Sequence, residues 1–201
     1  SRTRLADTPR ASTLARDVNS VGAITPGVRL HDLPQGTVEE RICMAGELGF
    51  SCIQLPSKVL YKSMGINRLG LTRELVDHLC EVLDEAGVSV AVFGCYKNLA
   101  TPDRQQLMDN FAEYEACLNF AKMLGGCPVG TETGRPNVQN NVADDRMTDE
   151  ALDAFVEGLK YVCGRAEAMG GQILIEPGWN ETVNTPQRCR EVLECRARHS
   201  A

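Results

Sequence analysis

One local pattern, used four times, restricts the folds open to this chain more than any other feature. A helix-forming run ends at glycine, and a short apolar segment follows at once. The copies are Glu47-Leu48-Gly49 before residues 50–55, Glu85-Ala86-Gly87 before 88–93, Met123-Leu124-Gly125 before 127–131 and Ala168-Met169-Gly170 before 172–175. Glycine just past the last helical turn takes the left-handed conformation that other residues resist. Successive glycines stand 38, 38 and 45 residues apart, room for a helix, a strand and two loops. The chain is therefore expected to alternate strand and helix.

The helix starts agree. Thr37-Val38-Glu39-Glu40 forms a capping box, and Thr72 and Thr148 stand as N-caps before acidic residues. Thr101-Pro102 and Thr185-Pro186 each place a capping hydroxyl before a proline at the first helical position. Between the caps the apolar period is helical, as in Leu75, Leu79, Leu83 and Ala86. The strand segments instead read as continuous apolar runs, the pattern of a parallel sheet covered on both faces. With a first strand around residues 23–30, five strands and five helices are predicted, in an α/β fold. Two closures stay open at this level, an open doubly wound sheet and a TIM-type barrel.

Composition narrows the function classes. A chain of 201 residues with 43% hydrophobic content suffices for one cored domain. A net charge of −6 argues against a nucleic-acid partner, and no apolar run approaches membrane-spanning length. No glycine-rich nucleotide cradle occurs. The nine cysteines are scattered, without C-x-x-C, and read as small buried hydrophobes of a reducing compartment, with the cytoplasm the expected location.

The predicted strands finish on chemistry-bearing residues: His31 after the first, Gln54 on the second, Tyr96 and Asn98 after the third, Glu132 after the fourth and Glu176 after the fifth. In a parallel α/β array these strand ends lie side by side, where active sites are built. Two carboxylates there suit acid–base work or cation binding. Trp179 follows in the fifth loop as a candidate stacking wall, and Lys97 and Arg135 are candidate phosphate contacts.

The segments Gly94-Cys95-Tyr96-Lys97-Asn98-Leu99, Val129-Gly130-Thr131-Glu132-Thr133-Gly134, Ile175-Glu176-Pro177 and Val183-Asn184-Thr185-Pro186 carry a resemblance in this order. From about residue 22 to 193 the chain resembles the sugar phosphate isomerase/epimerase family of xylose-isomerase-like TIM barrels. The resemblance implies an α/β barrel with about five of eight β/α units, residues 1–20 being a structure-poor leader, 21–194 the partial barrel and 195–201 a tail. It implies Glu176 as ligand to a divalent metal (Mn, Mg, Co or Zn) and as proton carrier beside a substrate carbonyl. His31, Gln54, Tyr96, Asn98, Glu132 and Trp179 would bind a small sugar. The implied reaction is isomerisation or epimerisation of a sugar or sugar phosphate through an enediolate.

The family's remaining metal ligands, an Asp, a His and a second Glu, sit on strands six to eight and have no counterpart here. The alternative expectation is therefore a non-catalytic or partner-dependent barrel piece, whose open edges invite a second copy or another chain. An endonuclease-IV-like DNA repair enzyme shares the barrel type but needs a histidine-rich zinc cluster and a basic groove. Three histidines and a charge of −6 supply neither.

Overall fold

The computed structural model describes residues 24–134, 148–179 and 181–197. The expected leader, Arg135, Asn180 and the last four residues lie outside the described residues. The elements run β1 (Gly27–Arg29), a 3₁₀ turn (Leu30–Asp32), α1 (Val38–Glu47), β2 (Cys52–Pro56), α2 (Ser57–Met64), a second 3₁₀ turn (Arg68–Gly70), α3 (Arg73–Ala86), β3 (Ser89–Gly94), α4 (Arg104–Met123), β4 (Val129–Glu132), α5 (Asp149–Met169), β5 (Ile173–Glu176) and α6 (Pro186–Ala197). The helix α6 thus extends three residues into the segment expected as a tail. No helix among the described residues is long and apolar enough to cross a membrane.

All four strand pairings are parallel, and the order is β1-β2-β3-β4-β5. Doubly wound sheets reverse their order at a switch point, and this sheet never does. Right-handed crossovers then place every connecting helix on one side, as in a barrel wall. Five consecutive strands of an incomplete α/β barrel result.

The chain's punctuation works as its chemistry dictates. Gly49, Gly87, Gly125 and Gly170 have φ of 84°, 67°, 100° and 70°. Thr37 accepts from the Glu40 amide at 3.2 Å while the Glu40 carboxylate accepts from the Thr37 amide at 2.8 Å, closing the capping box. Thr72, Thr148 and Thr185 accept from the amides of Leu75, Ala151 and Arg188.

Three expectations need correction. The cap of α4 is Asp103, which accepts from the amides of Gln105 and Gln106 at 2.9 and 3.1 Å. A carboxylate answers the positive helix end better than the Thr101 hydroxyl, which instead donates to Gln106 at 2.5 Å. Six helices form rather than five, because α2 starts directly at the end of β2 with no side-chain cap to announce it. Its buried Leu60 and a bond from the Val38 amide to Ser63 Oγ at 3.1 Å hold it. Finally, the described sheet is covered on one face only: Ile173 and Ile175 pack on the core while Leu174 between them is 44% exposed.

The core lies between the sheet's outer face and the helices. Ile53, Leu55, Phe93 and Val129 supply the sheet side, and Leu79, Phe120, Phe155 and Val162 the helix side. Phe93 and Phe120 meet with ring centroids 5.1 Å apart.

A register shift in β2–β3 sets which residues face inward. Ile53 pairs with Val90, but Gln54 pairs with Val92, leaving Ala91 as an extra residue. The bulge reverses the alternation of β3, turning Phe93 onto the helices and Val92 and Gly94 to the inner face.

The Gly87 turn isolates one backbone cost. A Cβ at this position would meet nothing within 4 Å, so only its φ of +67° opposes a side chain. Gly87→Ala should therefore lower stability by about 1–2 kcal/mol, read from urea unfolding midpoints at unchanged m-value.

Candidate active site on the inner sheet face

Pairing in register brings the expected residues together. Arg29 is the Cα partner of Gln54, Gly94 of Gly130, and Glu132 of Glu176. All six belong to the inner face at the C-terminal ends of the strands. Tyr96, just beyond β3, reaches across this face. Its hydroxyl donates to Glu176 Oε2 at 3.3 Å and accepts from Gln54 Nε2. Gln54 Nε2 also lies 3.4 Å from Glu176 Oε2. Two residues, from β2 and the end of β3, thus converge on one carboxylate oxygen of β5.

Tyr96 spans β4 because nothing stands in its way. A Cβ on Gly94 would come within 2.5 Å of Tyr96 Cε2, and one on Gly130 would stand 3.8 Å from its hydroxyl. These two glycines form the floor beneath the ring. Burial, the negative charge of Glu176 and its hydrogen bond, and then the charge of Glu132, push the Tyr96 phenol well above its ordinary value. The phenol therefore stays protonated and serves as a donor. Glu132 stands beside Glu176 as its register partner on β4.

The supporting loops are tied down. The Thr133 hydroxyl accepts from the Val183 amide at 3.0 Å, and the Thr182 hydroxyl donates to the Gly134 carbonyl at 2.9 Å. These bonds staple the loop after β4 to the loop after β5. Tyr114, fully buried in α4, donates to the Lys97 carbonyl at 3.0 Å and bonds the Thr131 hydroxyl, fixing the ends of β3 and β4. The neighbouring Cys95 is buried, and burial raises its thiol far above the reactive range.

The remaining expected residues sit apart from this contact. Asn98 Oδ1 accepts from the Ala100 amide at 2.9 Å and its carbonyl accepts from Asn110 at 2.7 Å, so it shapes the β3–α4 loop. His31 occupies the turn after β1, with Nε2 3.7 Å from Asp32 Oδ1. Trp179 is 86% exposed in the loop after Glu176, which is closed by a Gly178 amide bond to the Val183 carbonyl at 3.2 Å.

Three residues of the face escaped the sequence reading. Gly94 and Gly130 carry no chemistry and are visible only as the floor under Tyr96. Arg29 reads as an ordinary strand residue, yet it faces the site, gripped by Asp32 at 2.7 and 3.2 Å. Its signal is the i, i+3 spacing of opposite charges at a strand end.

The donor set suits a hard divalent cation in part. Glu132 and Glu176 offer carboxylate oxygens from adjacent strands, and the buried Gln54 Oε1, on the amide that touches Glu176, has no hydrogen-bond partner. Oxygen donors of this kind match Mg²⁺ or Mn²⁺. Among the described residues no three His, Cys, Asp or Glu side chains gather as a metal cluster.

A parallel barrel wall with two carboxylates at neighbouring strand ends defines a class of α/β-barrel proteins whose chemistry sits at the C-terminal strand ends. The chain belongs to the xylose isomerase-like TIM barrel family, which it matches over residues 44–198. Among solved structures it is similar to 3-keto-D-glucoside 4-epimerase YcjR from E. coli (14% identity, TM-score 0.69, covering 87% of this chain and 65% of that one). It is also similar to D-psicose 3-epimerase from Clostridium cellulolyticum H10 (18%, 0.65, 84% and 58%) and to the IOLI protein with a bound zinc atom (16%, 0.62, 85% and 58%). The chain spans less than two thirds of the length of each. No curated protein matches it in sequence.

Tyr61, Tyr96 and Tyr114 all have phenols raised chiefly by burial. At alkaline pH the folded chain then holds protons that the unfolded chain has lost. Stability should be intact below about pH 10, the unfolded tyrosine value, and fall as pH rises through the higher folded values. Tyrosinate absorbance followed beside circular dichroism checks this. The buried phenols should ionise only together with unfolding.

Proposed function

We propose that this chain carries the first half of a sugar isomerase or epimerase site that works with a divalent metal. The observation behind this reading is the convergence of Gln54 and Tyr96 on the Glu176 carboxylate, with Glu132 beside it in register. The fold shared with two sugar epimerases supports it, as does the zinc named with a third relative.

In this reading Glu176 and Glu132 hold the metal, whose chemistry is to stabilise the negative oxygens of an enediolate as a Lewis acid. Glu176 is also the base that takes the proton beside the substrate carbonyl and returns it to the same or the adjacent carbon. Tyr96, kept protonated, offers a hydrogen bond to a substrate oxygen without adding charge. Gln54 Oε1 accepts a sugar hydroxyl. Trp179 presents its exposed ring as a stacking surface, and His31 and Asn98 border the mouth. The substrate is a small sugar or sugar phosphate, and the edge strands among the described residues, β1 and β5, take further barrel strands from this or another chain.

One observation favours a second reading, a partner-dependent barrel piece without turnover of its own. Only two carboxylates meet at the strand ends among the described residues, and a divalent ion asks for more ligands than they provide.

Calorimetric titration with Mn²⁺ tests the first reading. Glu176→Gln should weaken binding at least about ten-fold, as expected when a ligand or its close support is lost. Equal affinity in wild type and variant would remove Glu176 from the site. D-Tagatose added with Mn²⁺ should change the emission of Trp179, the chain's single tryptophan. An unchanged spectrum would argue against its stacking role.

A further inference from the structure

Both contacts made to Glu176 fall on the same oxygen, which assigns its two oxygens different tasks. Gln54 Nε2 and Tyr96 Oη both lie on Oε2, at 3.4 and 3.3 Å. Among the described residues no hydrogen bond reaches Oε1. A carboxylate anchored by one oxygen has its plane and its free oxygen set by that anchor, as outer donors orient a ligating group. We infer that Gln54 and Tyr96 are positioning residues that fix Glu176 through Oε2, so that Oε1 is the oxygen presented to a cation or a migrating proton, and that the Gly94–Gly130 pair is the seat required for this arrangement. This rests on the reading of Glu176 as the metal- and proton-bearing carboxylate.

The seat is the specific part. Tyr96 leaves β3 and must reach β5, which means crossing β4 on the inner face. Gly94 and Gly130 are Cα partners, so two side-chain-free positions lie next to each other under the ring. A methyl at Gly94 meets the ring edge at 2.5 Å from Cε2 and 2.9 Å from Cζ, too close for the ring to stay. At Gly130 a methyl would strike Val92 Cγ1 at 2.8 Å, the residue the β3 bulge turns inward. The Gly94 substitution lifts the hydroxyl from Glu176 while leaving every polar group of the site in the chain, whereas a methyl at Gly130 presses on Val92 and only touches the hydroxyl, at 3.8 Å. The contacts are long for hydrogen bonds, as positioning contacts often are before a ligand tightens them.

Two measurements on the full chain test this. In the first, the protein carries isotope-labelled tyrosine Cζ, and the Tyr96 resonance is identified by its loss in Tyr96→Phe. Glu176→Gln and Gly94→Ala should each shift that resonance, and a resonance unmoved by Glu176→Gln overturns the inference whether or not a metal binds. In the second, Mn²⁺ affinity is measured for wild type, Tyr96→Phe, Gly94→Ala and the double variant, with thermal unfolding as the control for folding. Each single change should weaken Mn²⁺ binding about ten-fold, and the double variant should bind no more weakly than either. Tyr96→Phe keeps the ring on its seat and carries this arm alone if Gly94→Ala does not fold. Wild-type binding with unchanged affinity in Tyr96→Phe overturns the inference and leaves the function reading standing. Wild type that binds no Mn²⁺ removes the function reading, and the resonance alone then decides whether Tyr96 anchors Glu176.

Discussion

The geometry of the inner face depends on one extra residue in β3. Side chains on a strand alternate between faces, so the phase of the alternation decides which residues meet the core. Without the bulge at Ala91, Phe93 would point inward and Val92 outward. With it, Phe93 packs on Phe120 and Gly94 turns inward. Burying a phenylalanine is worth roughly 2–3 kcal/mol, so the core holds the shifted phase in place. The same shift clears the space in which Tyr96 lies. A packing demand on one face thus prepares the chemistry of the other.

The inner face also holds a charge arrangement that stability alone would not select. Glu132 and Glu176 are register partners on adjacent strands, roughly 4.8 Å apart along the pairing direction. Like charges set side by side oppose folding unless a cation or a hydrogen-bond donor offsets them. Tyr96 and Gln54 offset one of the two carboxylates. Arg29, the cation at the other end of the face, is already gripped by Asp32. The buried threonines stapling the loops after β4 and β5 prevent the two glutamates from simply moving apart. A rigid scaffold that holds like charges together is a common mark of a binding or reaction site.

Much of this was legible in the sequence because it is local. The four terminating glycines and the capping threonines each act within a few residues, and the strand-end residues follow from where the apolar runs stop. The phase of β3 was not legible. Residues 88–93 are nearly all apolar, so alternation leaves no trace, and a bulge in such a run changes nothing in the pattern. The one-sided covering of the sheet was hidden for the same reason, since Leu174 is as apolar as its buried neighbours. The helix α2 was missed because it follows β2 without a turn, and Asp103 displaced Thr101 as a cap because a stronger acceptor stood two residues further on. Gly94 and Gly130 matter through what they lack, and only contact with Tyr96 reveals it.

These hidden features separate what the fold supplies from what this chain adds. The barrel wall is shared with structures only 14–18% identical in sequence, so it is specified by patterning that many residue choices satisfy. Such a wall brings strand ends together but leaves their chemistry open. In this chain a bulge, two glycines and a tyrosine shape the inner face. The bulge turns Gly94 inward, the glycines admit the ring, and the ring reaches the carboxylate two strands away. Removing the Tyr96 hydroxyl would leave the five-stranded wall in place with Glu176 held by Gln54 alone. The site is therefore a chain of local steric permissions laid over a general scaffold, and its chemistry has to be argued from those residues rather than from the barrel.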